Sequence, residues 1–174
     1  MTVHTLNNGI RLLHIQENSP VVYCGFAVNA GSRDELENEH GTAHFVEHLM
    51  FKGTKKRKSL QIINRLEEIG GEIDAYTAKE ETFIYSVLPE KYLGRAMELL
   101  ADIVFNSTFP ADELARERSV IEDEIQSYND SPSELIFDDF EELIFKNSAL
   151  GHNILGNKKS LRNFNAQSLQ NFVT

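Results

Sequence analysis

The chain has 174 residues, 41% apolar and 25% charged, a balance ordinary for a folded globular domain and unlike that of a disordered or low-complexity chain. The formal net charge of -10 argues against nucleic acid as a partner, because affinity there comes largely from Lys and Arg neutralising phosphates. No apolar run is long enough to span a bilayer, so no membrane partner is expected, and the single cysteine, Cys24, has no partner for an internal disulfide.

The N-terminal residues 1–8 carry neither the basic nor the apolar region of a secretory leader, which with the lone cysteine leads us to expect a cytoplasmic protein. Residues 3–6 and 10–15 read as strands around the hairpin-forming pair Asn8-Gly9. A third strand is expected at 21–30, so a β-sheet opens the fold. The polar stretch 31–38 reads as a loop, and the spacing of Ala43, Val46, Leu49 and Met50 predicts a helix over about 40–51. A basic connection at 52–58, expected to be a solvated loop, leads to Ser59. This serine can cap a helix whose face is Leu60, Ile63, Leu66 and Ile69 and which stops at Gly70-Gly71.

Two further strands are expected at 72–75 and 82–88, then helices at about 90–105 and 110–128. Ser131-Pro132-Ser133-Glu134 has the pattern of a capping box with proline at its first helical position, opening a helix to about 145. The remainder, 151–174, is looser and enters a last helix near Ser168. Strands early and mid-chain with helices dominating later indicate an α+β fold, a mostly antiparallel sheet with helices packed on one face.

The helix at 40–51 contains His44-Phe45-Val46-Glu47-His48. Histidines four residues apart project from one helical face and can reach one metal ion, and the glutamate between them stays on the same side, where a carboxylate can take a proton from metal-activated water. The order H-x-x-E-H is that of the inverzincin metallopeptidases. A catalytic zinc takes a third protein ligand, and the other histidines, His4, His14, His40 and His152, have no useful spacing. Carboxylates on the helix at 110–128 remain. Glu117 and Glu124 lie two turns apart on a stripe with Ile121 and Tyr128, but spacing alone does not choose Glu124 over Glu117, Glu122 or Asp123.

The run from Gly41 to Thr54, with His44, Glu47, His48 and the ending Lys52-Gly53-Thr54, resembles the zinc helix of peptidase family M16 and its exit, most closely in the processing-peptidase branch. The family's third ligand stands about 76 residues after the second histidine, which falls on Glu124. The resemblance therefore implies one Zn2+ held by His44, His48 and Glu124, with Glu47 as general base and Glu117 supporting the metal site. It further implies that a strand beside the zinc binds the substrate backbone at Asp74 and Ala75, where the family usually has Asn-Ala. An ionised aspartate accepts hydrogen bonds but does not donate as the amide does. Phe45, next to the first ligand, is a candidate for lining a substrate pocket or for filling the helix core. The segment Leu150 to Gly156 resembles the family's loop before its next helix.

The implied function is that of a zinc metalloendopeptidase acting on extended peptides. Family members carry a later domain with an arginine-tyrosine pair used in substrate binding. Residues 1–174 are thus expected to be one N-terminal zinc-binding domain of a longer chain, weak or inactive alone. Its expected partners are the C-terminal domain of the same protein or a partner M16 subunit, with a homodimer also compatible. Two other readings are a non-catalytic subunit or peptide-binding module, and an enzyme like S-ribosylhomocysteine lyase. The last requires a cysteine ligand downstream of the motif, and Cys24 lies upstream.

Overall fold

The Asn8-Gly9 pair does what its chemistry predicts: Gly9 adopts φ 88° and closes a hairpin between β1 (Thr2–Thr5) and β2 (Arg11–His14), with Thr2 opposite His14. In the computed structural model, which describes residues 1–173, this hairpin forms a two-stranded sheet of its own, exposed along both strands. The opening strands therefore do not belong to a single sheet with the third, as their order had suggested. The main sheet has three antiparallel strands in the order β3-β5-β4, namely β3 (Val21–Val28), β4 (Glu72–Thr77) and β5 (Thr82–Pro89).

Burial alternates along these strands as the period of two requires. Val22, Cys24, Phe26 and Val28 of β3, Ile73 and Ala75 of β4, and the fully buried Ile84 and Leu88 of β5 face the core. Helices cover that face: α3 (Leu93–Asn106) lies across β3 and β5, and α1 (Thr42–Met50) lies against β4. The apolar spacing of Ala96, Leu99, Leu100 and Ile103 buries one side of α3 completely. A single 3-10 turn, Glu90–Tyr92, precedes it, so the helix expected from 90 begins as a tighter turn.

α2 (Ser59–Glu67) buries Ile62 and Leu66, whereas Leu60 is 72% exposed, so the core stripe is Ile62, Leu66 and Ile69. Ser59 is the first helical residue and not the cap. The cap position is Lys58, whose backbone N–H donates to Gln61 Oε1 at 2.9 Å. α4 (Ala111–Asn129) buries Leu114, Glu117, Ile121 and Ile125 and packs against α1. α5 (Pro132–Ile144) starts with proline in its first turn, but Ser131 makes no side-chain cap bond and the helix buries none of its residues. Two short helices, α6 (Lys158–Leu161) and α7 (Ala166–Phe172), are capped by Asn157 and Asn165, and Leu161, Phe164 and Leu169 close the core over α1. No helix among the described residues is long and apolar enough to cross a membrane.

Candidate metal centre

The histidine-bearing helix is fixed at its start by backbone geometry and by a distant carboxylate. Gly41 precedes α1 with φ 97°, a conformation that favours glycine, and a Cβ there would lie 2.7 Å from the carbonyl oxygen of Leu155. Glu35, with its side chain fully buried, accepts the N–H of Gly41 and the N–H of Ala43 at 2.8 Å each. These are free donors of the first helical turn, and a negative charge there suits the helix dipole. His152 Nε2 lies 3.1 Å from the same carboxylate, and its ring stacks on His40 with centroids 3.8 Å apart. Two of the histidines without sequence spacing, His40 and His152, thus meet in space at the base of the helix and away from the metal-ligating group, whereas His4 and His14 lie on the separate β1–β2 hairpin.

One turn further on, His44 and His48 project toward Glu124 of α4. His44 Nε2 is 3.7 Å from Glu124 Oε1, and His48 Nε2 is 3.6 Å from Glu124 Oε2. Among the described residues these three form the group able to hold a metal, with one ligand atom from each within 4.8 Å of the others. Donors around a tetrahedral zinc at bond lengths of about 2.0–2.1 Å stand roughly 3.3 Å apart, so the spacing is close to that of one shared ion. Two imidazoles and a carboxylate are also the donor types that zinc takes. Glu122 and Asp123 lie outside the group, so convergence separates Glu124 from the neighbours that helical spacing could not exclude.

The protonation states fit as well. Burial, with a smaller contribution from His48, pushes the His44 pKa down to about 4, which keeps the ring neutral with a lone pair available at neutral pH. His44 Nδ1 is buried with no hydrogen-bond partner among the described residues, so the polar commitment of this ring is at Nε2, toward Glu124. His48 Nδ1 lies 3.0 Å from Glu117 Oε2, and donation along that contact leaves Nε2 as the lone-pair nitrogen facing Glu124. Glu117 Oε1 in turn pairs with Lys52 Nζ at 2.8 Å. Burial opposes the charge on Glu117, but the bonds from Lys52 and His48 more than offset it and hold the carboxyl below its ordinary range.

Glu47 faces β4, where its Oε2 accepts the hydroxyl of Thr77 at 2.5 Å. Burial raises its pKa, against the opposing effect of Thr77. Beside it runs the outer edge of β4. The 2.8 Å bond from the Ala78 N–H to the Glu81 carbonyl sets the phase of the β4–β5 ladder, so Ile73, Ala75 and Thr77 turn their backbone groups away from β5. Ala75 presents its N–H there, and Asp74 Oδ1 already accepts it at 2.9 Å, while Asp74 Oδ2 accepts the Tyr85 hydroxyl at 3.2 Å. Phe45 is 0% exposed and packs edge-on against Phe164, so its burial supports the role of core filler and not that of pocket lining.

Sequence reasoning missed Glu35, Lys52 and Thr77. Each acts across a tertiary contact, and none stands at a local spacing that would mark it. The basic stretch 52–58 is likewise more than a solvated loop: Lys52 pairs with Glu117, and Arg57 pairs with Glu98 and Asp102.

Comparison with known proteins agrees with this arrangement. The family model for Insulinase (Peptidase family M16) matches residues 11–158. The chain is 41% identical over 174 residues to the mitochondrial-processing peptidase subunit beta of Rattus norvegicus, covering 99% of this chain and 35% of the relative. It is 35% identical over 173 residues to the "uncharacterized zinc protease YmxG" of Bacillus subtilis, covering 98% of this chain and 42% of the relative. A solved peptidase M16 inactive domain from Pseudomonas fluorescens superposes with a TM-score of 0.90 at 19% identity, over 99% of this chain and 42% of that one, which shows the fold alone. The chain thus spans well under half the length of these relatives, and within that span it belongs to peptidase family M16.

Proposed function

We propose that residues 1–174 are the N-terminal zinc-binding domain of a metalloendopeptidase that hydrolyses extended peptides. The observation that carries this reading is the convergence of His44, His48 and Glu124 from two helices at the spacing of one tetrahedral ion, with a carboxylate beside them. One Zn2+ bound there would lower the pKa of a water and polarise the scissile carbonyl. Glu47 accepts the proton from the attacking water and returns it to the leaving amine. Glu117 holds the His48 ring by its Nδ1 and keeps the ligand nitrogen turned toward Glu124. A peptide adds as a further strand on the outer edge of β4 at Asp74 and Ala75, a mode that reads backbone more than side chain.

A domain of this length supplies one wall of such a site. We place the other wall on a C-terminal domain of the same protein or on a partner M16 subunit, a second copy of the same protein included. The competing reading is a non-catalytic peptide-binding subunit, because the fold alone does not carry catalysis: an M16 domain described as inactive shares it. The two readings diverge for Glu47→Gln in the intact protein. An active peptidase loses cleavage by a factor of at least about 100 while keeping its zinc. Retention of peptidase activity would remove Glu47 from the chemistry, and a wild-type protein that binds peptides without cleaving them would favour the subunit.

A further inference from the structure

Thr77 ends β4 with its side chain on the inner face and its backbone on the outer edge, so one residue touches two parts of the proposed site. Its hydroxyl is donated to Glu47 Oε2 at 2.5 Å, and this is the one hydrogen bond recorded for the Glu47 carboxylate among the described residues. A general base must hold one oxygen toward the water it deprotonates. A carboxylate on a helix can otherwise rotate about its terminal bond, because that torsion is broad. With Oε2 pinned to β4, rotation stops and Oε1 is the oxygen left for the water.

Resting on the reading of Glu47 as general base, we propose that Thr77 is the positioning residue for that base and couples it to the substrate-binding edge of β4. The partner strand supports the arrangement. Thr77 pairs with Thr82, whose hydroxyl donates to the Ala30 carbonyl at 2.9 Å and ties this end of the hairpin to the end of β3. Beyond it, the Ser32 and Arg33 N–H groups donate to the Ala78 and Lys79 carbonyls at 3.2 and 2.8 Å. Thr77 therefore stands on a strand end fastened from two sides, whereas its own outer edge stays unpaired within the sheet. A peptide strand added along Ala75 and Thr77 would fix β4 further, and through the Thr77 hydroxyl it would fix Glu47. Productive base geometry is then completed by the act of binding an extended substrate.

The test compares Thr77→Val, which keeps the β-branched shape without the hydroxyl, with Thr77→Ser, which keeps the hydroxyl. Both are made in the intact zinc-loaded protein, with Glu47→Gln alongside. Thr77→Val is expected to lower kcat by about 10- to 100-fold, the scale of a misplaced catalytic group, with KM and zinc affinity unchanged within about twofold. Thr77→Ser is expected to recover most of the loss. A second readout is the binding of a peptide hydroxamate, which chelates zinc and hydrogen-bonds to the general base. Thr77→Val should weaken it by about 10- to 100-fold, the value of one hydrogen bond to a charged group. Wild-type kcat in Thr77→Val, an equal loss in Thr77→Ser, or a loss traced to KM or zinc affinity would each overturn the assignment. Glu47→Gln separates the two claims. If it stays active, the base itself is misassigned, and if it is dead while Thr77→Val is normal, only the positioning role falls.

Discussion

His48 uses its two ring nitrogens differently: Nδ1 meets Glu117 and Nε2 faces Glu124. Glu117 is buried, and Lys52 keeps it ionised, so its charge is available to strengthen the imidazole as a ligand. Glu117→Gln keeps the size and loses that charge. It should weaken zinc binding by about 10- to 100-fold in a chelator competition while the fold is retained. An unchanged affinity would make the Glu117 contact incidental. At Asp74, the carboxylate already occupies the outward N–H of Ala75, which a peptide carbonyl would need. Charged acceptors form roughly twice as strong a bond as neutral ones, so Asp74→Asn should lower KM for an extended peptide by a few-fold, and a raised KM would mean that Asp74 attracts substrate. The histidine pair was legible in the sequence because its geometry is local to one helix. Glu124 was not separable from Glu122 or Asp123 by spacing, since the choice depends on how α4 packs on α1.

Among the elements, the segment between α1 and α2 shows how a short basic run becomes structure. Thr54 donates its hydroxyl to Asp102 at 2.8 Å, Arg57 pairs with the same oxygen at 2.5 Å, and Asp102 is 3% exposed on α3. Burial works against the Asp102 charge, but the bonds from Thr54 and Arg57 prevail and its pKa is lowered. A carboxyl held below its unfolded value contributes stability that is complete above the unfolded pKa of about 3.9 and is lost as pH falls through the folded one. Asp102→Asn should therefore destabilise the protein by about 2–4 kcal/mol near pH 7 in denaturant unfolding, with a smaller deficit below about pH 4. A deficit independent of pH would assign the effect to packing instead. The α2 helix illustrates the limit of periodicity. Leu60 with Ile63 and Ile62 with Leu66 both have helical spacing, and only the position of β4 and α3 against the helix selects the second stripe.

For the whole molecule, the proposed ion joins α1 to α4, two helices that otherwise meet through side-chain packing and the His48–Glu117 contact. Binding to the folded state alone adds about 2.7 kcal/mol at a free zinc concentration a hundred times Kd, which for a chain of this size raises Tm by about 5–10 °C. Thermal unfolding with zinc and with a chelator should show that separation, and overlapping curves would mean that the ion does not bridge the helices. The α+β architecture with helices on one face was legible from the order of strands and helices, as was most element placement. The separation of the β1–β2 hairpin was not, because strand pattern records pairing tendency and not which sheet a strand joins.

If His44, His48 and Glu124 hold one zinc ion, metal analysis of the purified protein reads that ion out without any assay of activity. About one zinc per wild-type chain is expected, retained in Glu47→Gln and lost in Glu124→Ala. A wild-type chain that binds no zinc, or a Glu124→Ala chain that keeps a full equivalent at wild-type affinity, would contradict it.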